Sequence, residues 1–368
     1  MFDRPRFEAF LLGSTVGSIE SRLPQPRIEG GSTLVTAANR AMEFPEPMGI
    51  ARAGQRSGIV LIMIRRLLGS TVVVALLIVA AGCGSDESGS GSDSRPQIVV
   101  TYSVLGSVVR DVVGDKGDVV VLMPNGADPH EWSPSAKDIE TMSKADLVVD
   151  NGLGLEGNLQ DPLKEVKANG VPVFTVADHI TIRKVKAGEG ADPADEDQAP
   201  GADDPHLWMD PLTMKQWVAP LAAELKVIGV DVSSNASKVE GDLDALNAEV
   251  EAVVAKVPAD DRKLVTGHES MGYFAERYGF ELIGAVIPAI TSQAEASAGE
   301  LAALTEKIEA AGVPAIFAEI GTPAATVEAI ASDTATKVVE LSTHNLTDDG
   351  TYRSFMLSIA TTVTDALS

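Results

Sequence analysis

The amino-acid sequence predicts an α/β protein of two lobes, each with a mostly parallel sheet flanked by helices, joined by one long rigid helix. Three observations carry this. Short β-branched runs alternate with helical segments from residue 97 onward, the pattern of parallel sheets covered on both faces. The alternation comes in two blocks. Between them, Val239, Leu243, Leu246, Val250, Val253 and Val257 form a narrow apolar stripe along one helix.

In the first block, Ile98 to Tyr102 reads as a strand, Leu105 to Val113 as a helix and Val119 to Leu122 as a strand. Ser133-Pro134 predicts a helix start with proline at its first position. Leu147 to Val149 and Val173 to Val176 are further short strands. The connecting helix is expected over 234–257, capped by Ser234 and ended by Pro258. In the second block, Leu264 to Thr266, Leu282 to Ile287, Ala315 to Ala318 and Val338 to Leu341 read as strands. A helix begins at Ser297, with Glu300 three residues on completing a capping box. The lobes are therefore expected at 97–233 and 258–368.

Charge separates the start of the chain from the rest. Residues 1–82 carry nine Lys/Arg against six Asp/Glu, and the whole chain has a net charge of −24. So acidic a protein lacks the basic surface that nucleic acid binding needs. Met63-Ile64-Arg65-Arg66 opens an uncharged apolar run, Leu67 to Gly82, which ends at Cys83. This is the layout of a secretory signal over 63–82. The run is shorter than the ~20 residues of a membrane-spanning helix. A polar Gly/Ser/Asp tether follows over 83–96. Residues 1–62 fit neither a signal nor a domain, and translation is expected to begin at Met63. Cys83 is the only cysteine, so no intrachain disulfide forms.

The chain holds five histidines, and four stand at loop-like positions. Asp128-Pro129-His130 and Asp204-Pro205-His206 are the same tripeptide used twice. His268 follows the apolar run Leu264 to Gly267, and His344 lies just past Val338 to Leu341. Imidazole is the commonest protein ligand for transition metals, and three or four from distant segments would suit zinc. His268 and His344 fall beyond the carboxyl ends of expected strands, where open α/β sheets bind ligands. One further segment stands apart. Ala187 to Asp204 contains Glu189, Asp192, Asp195, Glu196, Asp197, Asp203 and Asp204 and no Lys or Arg. It reads as a solvated surface loop, or as a cation funnel ending beside His206.

Ala80-Ala81-Gly82-Cys83 resembles the lipobox of bacterial lipoproteins, with alanine where leucine is usual at position 80. The chain from 97 to 368 resembles the metal-binding lipoproteins of zinc and manganese ABC importers, the cluster A-I solute-binding proteins. The segments Pro124 to Ser135, Ala145 to Glu156, Asp204 to Pro211, Thr266 to Ala275 and Ala315 to Glu319 carry the resemblance, in the family's order. It implies ligands at His130, His206 and His268. It also implies a fourth at His344, where the family usually has aspartate; Glu340 and Asp348 are the carboxylate alternatives. Glu319 is expected to stand behind a ligand or at a lobe contact, and His179 on the surface. The resemblance implies a lipid on Cys83, an extracytoplasmic membrane-anchored or periplasmic location and a monomer. Its partners would be ABC permease and ATPase subunits.

The expected function is capture of a divalent transition metal in an interlobe cleft, zinc (Zn2+) favoured over manganese (Mn2+), and delivery to an importer. Histidine at 268, where manganese-type members often have glutamate, leans towards zinc. The acidic loop departs from the histidine-rich loop usual in zinc-type members. The alternatives are a secreted zinc-dependent hydrolase and a metal-binding adhesin lipoprotein. A catalytic zinc keeps a position open for water, so a fourth protein ligand argues for carriage.

Overall fold

The structure, a computed structural model, describes residues 95–186, 189 and 199–368. The signal segment, Cys83 and most of the acidic loop lie outside the described residues. The first sheet holds β1 (Gln97–Val100), β2 (Asp118–Val121), β3 (Leu147–Asp150) and β4 (Val173–Thr175). All are parallel, in the order β2-β1-β3-β4. The central strands are runs of Val, Ile and Leu because both faces are covered; Ile98, Val99, Leu147 and Val148 are fully buried. The crossovers are α1 (Ser103–Val113), α2 (Ala136–Ser143) and α3 (Gln160–Ala168).

Three helices follow: α4 (Pro211–Gln216), α5 (Val218–Val227) and the 22-residue α6 (Ser233–Val254). The second lobe pairs β5 (Lys263–Thr266) with β6 (Glu281–Ala285), and β7 (Ala315–Ala318) with β8 (Lys337–Glu340), each pair parallel. Strand β5 lies beside β7. Helices α7 (Gly272–Tyr278), α8 (Ala298–Ala311) and α9 (Ala324–Thr334) connect them, and α10 (Tyr352–Leu367) closes the chain.

Several boundaries differ from those expected, for local reasons. Helix α2 starts after Ser135, not at Ser133-Pro134. Ser135 Oγ accepts the Asp138 N–H, and Asp138 Oδ2 accepts the Ser135 N–H at 2.8 Å. That reciprocal box satisfies two orphan donors, so the helix begins there. Ser234 does not cap α6. Asp231 Oδ1 accepts both the N–H and the hydroxyl of Ser233, and Ser234 falls inside the first turn. Helix α6 ends at Val254, four residues before Pro258. Its buried face runs Val239, Leu243, Leu246, Val250, Val254, while Val253 is half-buried. At 3.6 residues per turn, a repeat of fours and threes drifts off the core-facing line. Strand β6 pairs irregularly at Ile283, and its continuation through Val286 and Ile287 bonds to Thr266 and Gly267.

One core spans most of the described chain. It joins the first sheet, α1, α6 and α10 to Phe274, Phe317 and Leu341 of the second lobe. A smaller cluster, built on Val265, Ile316, Leu304, Ile308 and Val327, lies within the second lobe. Helix α10 packs on α6 and also reaches α1, so the last element of the chain seals the first lobe. Because the main core crosses both lobes, they should unfold together. Leu246→Ala should cost about 2–5 kcal/mol. Tryptophan fluorescence and circular dichroism in denaturant should give one coincident transition, moved to lower denaturant. Two separated transitions would contradict the shared core.

Candidate metal centre

His130 lies on the loop after β2, His206 on the segment that enters α4, His268 just past β5 and His344 past β8. All four are buried. Their ring nitrogens converge so that one atom from each lies within 4.8 Å of the others. His206 Nε2 is 3.3 Å from His130 Nε2 and 3.3 Å from His268 Nε2. His344 Nε2 is buried without a hydrogen-bond partner.

The repeated tripeptide works as a turn. In each copy the Asp Oδ1 accepts the His N–H two residues on, at 2.9 Å for Asp128 and 3.0 Å for Asp204. The proline between has a fixed φ and no N–H to satisfy. The second oxygens diverge. Asp128 Oδ2 accepts from Ser292 Oγ of the second lobe at 2.6 Å, and Asp204 Oδ2 accepts from Arg183 Nη1 at 3.0 Å. Asp204 Oδ1 also lies 2.9 Å from His206 Nδ1, which donates to it and leaves Nε2 as an acceptor.

Glu319, just past β7, does the corresponding work in the second lobe. Its Oε2 lies 2.8 Å from His268 Nδ1, close enough for an ion pair though off the line of a good hydrogen bond. Ser270 Oγ donates to it at 2.7 Å and Thr343 Oγ1 at 3.1 Å. Thr343 Oγ1 is also 3.2 Å from His344 Nδ1, so Glu319 reaches two histidines, one directly and one through a hydroxyl. Trp208 packs between His206 and His344, with ring centroids at 5.3 and 5.6 Å, and its Nε1 donates to the Thr343 carbonyl at 2.9 Å.

Bonds between the lobes surround the cluster. Asn125 and Leu346 exchange two, at 2.9 and 2.8 Å, and Gln293 Nε2 donates to the His130 carbonyl at 2.7 Å. Arg277 on α7 makes a two-pronged contact with Asp210, at 2.9 and 2.6 Å. Asp210 in turn caps α4.

The alternatives to His344 stand elsewhere: Glu340 and Asp348 are both exposed and outside the cluster. His179 is exposed and stacks on Phe174. Arg183, Ser292 and Gln293 were not legible as site residues in the sequence. Their only signal is position, since each comes to the site from a loop distant in sequence. The acidic segment holds no base of its own, but three of its carboxylates are paired. Glu189 and Asp204 pair with Arg183, and Asp203 pairs with Lys184, both bases lying just upstream.

Burial sets the protonation of the rings. It holds His130 and His206 well below the ordinary imidazole range, aided by the neighbouring histidines. Burial, with His268 beside it, lowers His344 to about 4. Burial would lower His268 too, but the Glu319 carboxylate, with Asp128 and Asp204, more than offsets it and raises that pKa.

Two packed α/β lobes with four inward imidazoles at their junction define a metal-binding solute-binding protein. The chain belongs to the family described as zinc-uptake complex component A, periplasmic, which matches residues 98–366. It is thus the extracytoplasmic metal-binding component of an ABC metal-uptake system. The manganese-binding lipoprotein MntA of Halalkalibacterium halodurans is 28% identical over 255 residues, 68% of this chain and 80% of that protein. The manganese ABC transporter substrate-binding lipoprotein PsaA of Streptococcus anginosus is 26% identical over 298 residues, 77% and 92% of the two chains. The solved periplasmic zinc-binding protein TroA of Treponema pallidum superposes with a TM-score of 0.64 at 26% identity, covering 74% of this chain and 99% of that one. The family is a binding component of an uptake complex, not an enzyme.

Histidine titration followed by NMR in metal-stripped protein should separate the rings. His268 should titrate above the ordinary imidazole value and the other three below it, His344 at about 4. Glu319→Gln should move His268 down towards its neighbours. A His268 that titrates below the ordinary value in the unaltered protein would contradict the pairing.

Proposed function

We propose that His130, His206, His268 and His344 together hold one divalent transition ion, zinc in preference to manganese, for delivery to the permease and ATPase of the importer. The convergence of four imidazole nitrogens, with His344 Nε2 buried and unpartnered, carries the reading. Four nitrogen ligands satisfy tetrahedral zinc and leave no position for a reactive water. Manganese prefers more oxygen ligands, and no carboxylate joins the cluster among the described residues. Neutral imidazoles leave the ion's charge uncompensated in a buried site. Asp128, Asp204 and Glu319, buried one layer out, supply the offset and raise ligand basicity. We further propose that Cys83 carries lipid and holds a monomeric protein at the outer face of the membrane.

Calorimetry on metal-stripped protein should show one zinc per chain, with manganese bound more weakly. At free zinc a hundred times the dissociation constant, binding to the folded state alone should add about 2.7 kcal/mol of stability. Alanine at any of the four histidines should weaken binding strongly, whereas Glu340→Ala and Asp348→Ala should be silent. His344→Asp supplies an oxygen ligand and should narrow the zinc-to-manganese ratio. No heat on adding zinc would remove the reading. A ratio that already favours manganese in the unaltered protein would assign the other ion.

Protons compete for the same nitrogens, so affinity should fall with pH. The raised His268 protonates first on acidification, while the other three stay neutral. The logarithm of the affinity should therefore drop by about one unit per pH unit below the His268 pKa, steepening only in stronger acid. A slope of two or more near neutral pH would show that other rings titrate there.

Two acyl chains anchor a protein stably where one does so only marginally. Cys83→Ser should therefore release soluble protein that still binds metal. Continued membrane retention of that variant would instead indicate an uncleaved helix at Leu67 to Gly82.

A further inference from the structure

Arg183 lies outside the histidine cluster, on the stem that closes the acidic loop. The Asp204 N–H donates to the Arg183 carbonyl at 3.0 Å, and Val185 pairs with Gly201 and Ala202, so the two arms of the stem run side by side. The Arg183 side chain is 5% exposed. Its Nη1 donates to Asp204 Oδ2 at 3.0 Å, and its Nη2 to both oxygens of Glu189 at 2.6 Å. Its Nε lies 3.4 Å from Glu276 on α7, and its backbone N–H donates to Tyr273 Oη at 3.0 Å. Gly272 opens α7 beneath the pair. A Cβ built there would overlap both Arg183 Nη1 and Asp204 Oδ2, so the ion pair is seated directly on the helix backbone.

We propose that Arg183 is a positioning residue for metal binding: it pins Asp204 so that Asp204 can aim His206 at the ion. The inference rests on the reading of the four histidines as ligands. The two oxygens of Asp204 divide the work. Oδ1 takes the His206 N–H at 3.0 Å and Nδ1 at 2.9 Å, and Oδ2 is left to the guanidinium. Arg183 bridges Asp204 and Glu189 with separate nitrogens of one rigid fork, which an ammonium cannot reproduce. Without it, two carboxylates face each other with no base between them. A buried charge stripped of its partner is strongly unfavourable, so Asp204 must move. His206 then loses the contact that fixes its ring.

A second effect has the opposite sign. A positive charge near the ion repels it, so removing Arg183 as a charge alone would tighten binding. Orientation outweighs this, because losing such an outer partner costs about 10–100-fold in metal affinity. The sign of the change therefore separates positioning from simple repulsion.

The test uses the mature chain from Cys83→Ser protein, with Co2+ as the probe. Affinity is read by chelator competition and ligand geometry by the visible absorption bands. Arg183→Met should weaken Co2+ binding about 10–100-fold and alter the bands. Arg183→Lys should recover part of both. Gly272→Ala removes no charge but displaces the pair, so it should also weaken binding and alter the bands. Adding Arg183→Met to Asp204→Asn should cost far less than in the unaltered protein, because the two act as one unit. Circular dichroism of the apo proteins checks the fold. Should Arg183→Met not fold, the lysine and Gly272→Ala variants carry the test. Unaltered affinity and bands in Arg183→Met, tighter binding, or additive losses in the double variant would each overturn the proposal. Failure of the unaltered protein to bind Co2+ would instead strike the four-histidine reading itself.

Discussion

Four imidazoles buried within 4.8 Å of one another cannot all be protonated, and the architecture of the junction follows from that constraint. For an ion to bind, every ring, His268 included, must be free of its second proton and turned so that a lone pair faces inward. Fixed acceptors behind the rings set that orientation. Asp204 lies behind His206 and Glu319 behind His268, and Glu319 reaches His344 through Thr343. Carboxylates in that position are themselves costly to bury. Arg183, Ser270, Thr343 and Ser292 are therefore drawn in to satisfy them, and the site grows outward in layers of obligation.

The same requirement explains why the lobes meet as they do. Two rings come from loops of the first sheet's lobe and two from beyond strands of the second. Neither lobe alone can assemble the set. Asn125 with Leu346, Ser292 with Asp128 and Arg277 with Asp210 close the boundary around the cluster. The boundary is polar near the rings and apolar farther out, where α6 and α10 continue one core across it. Hydrogen bonds thus dominate the boundary around the rings, and apolar packing dominates it farther out.

Much of this was legible in the sequence. All eight strands were expected within a residue or two, because buried parallel strands are written as short β-branched runs. The Asp-Pro-His repeat pointed to two of the four histidines, since a tripeptide that caps its own turn carries its geometry locally. His268 and His344 were legible from their places after strands. The errors were also local. Ser133-Pro134 and Ser234 read as helix starts, but α2 begins after the reciprocal box of Ser135 and Asp138, and α6 begins at Ser233, whose N–H and hydroxyl Asp231 accepts. What the sequence did not disclose is long-range. Arg183, Ser292 and Gln293 reach the site through tertiary approach alone, with no periodicity or motif to mark them. The bases that pair with Glu189, Asp203 and Asp204 lie just upstream of the acidic segment, so its own composition does not show them.

Helix α10, 16 residues long, packs against α6 from the middle of the described fold and α1 from its start. Tyr352, its first residue, donates its hydroxyl to the Trp208 carbonyl at 2.7 Å, beside His206 and His344. Trp208 in turn donates its Nε1–H to the Thr343 carbonyl, next to His344. Any change that loosens the seat of α10 on α6 is therefore passed through one hydroxyl to the indole that separates two of the four rings, so a helix with no histidine of its own helps to fix their spacing.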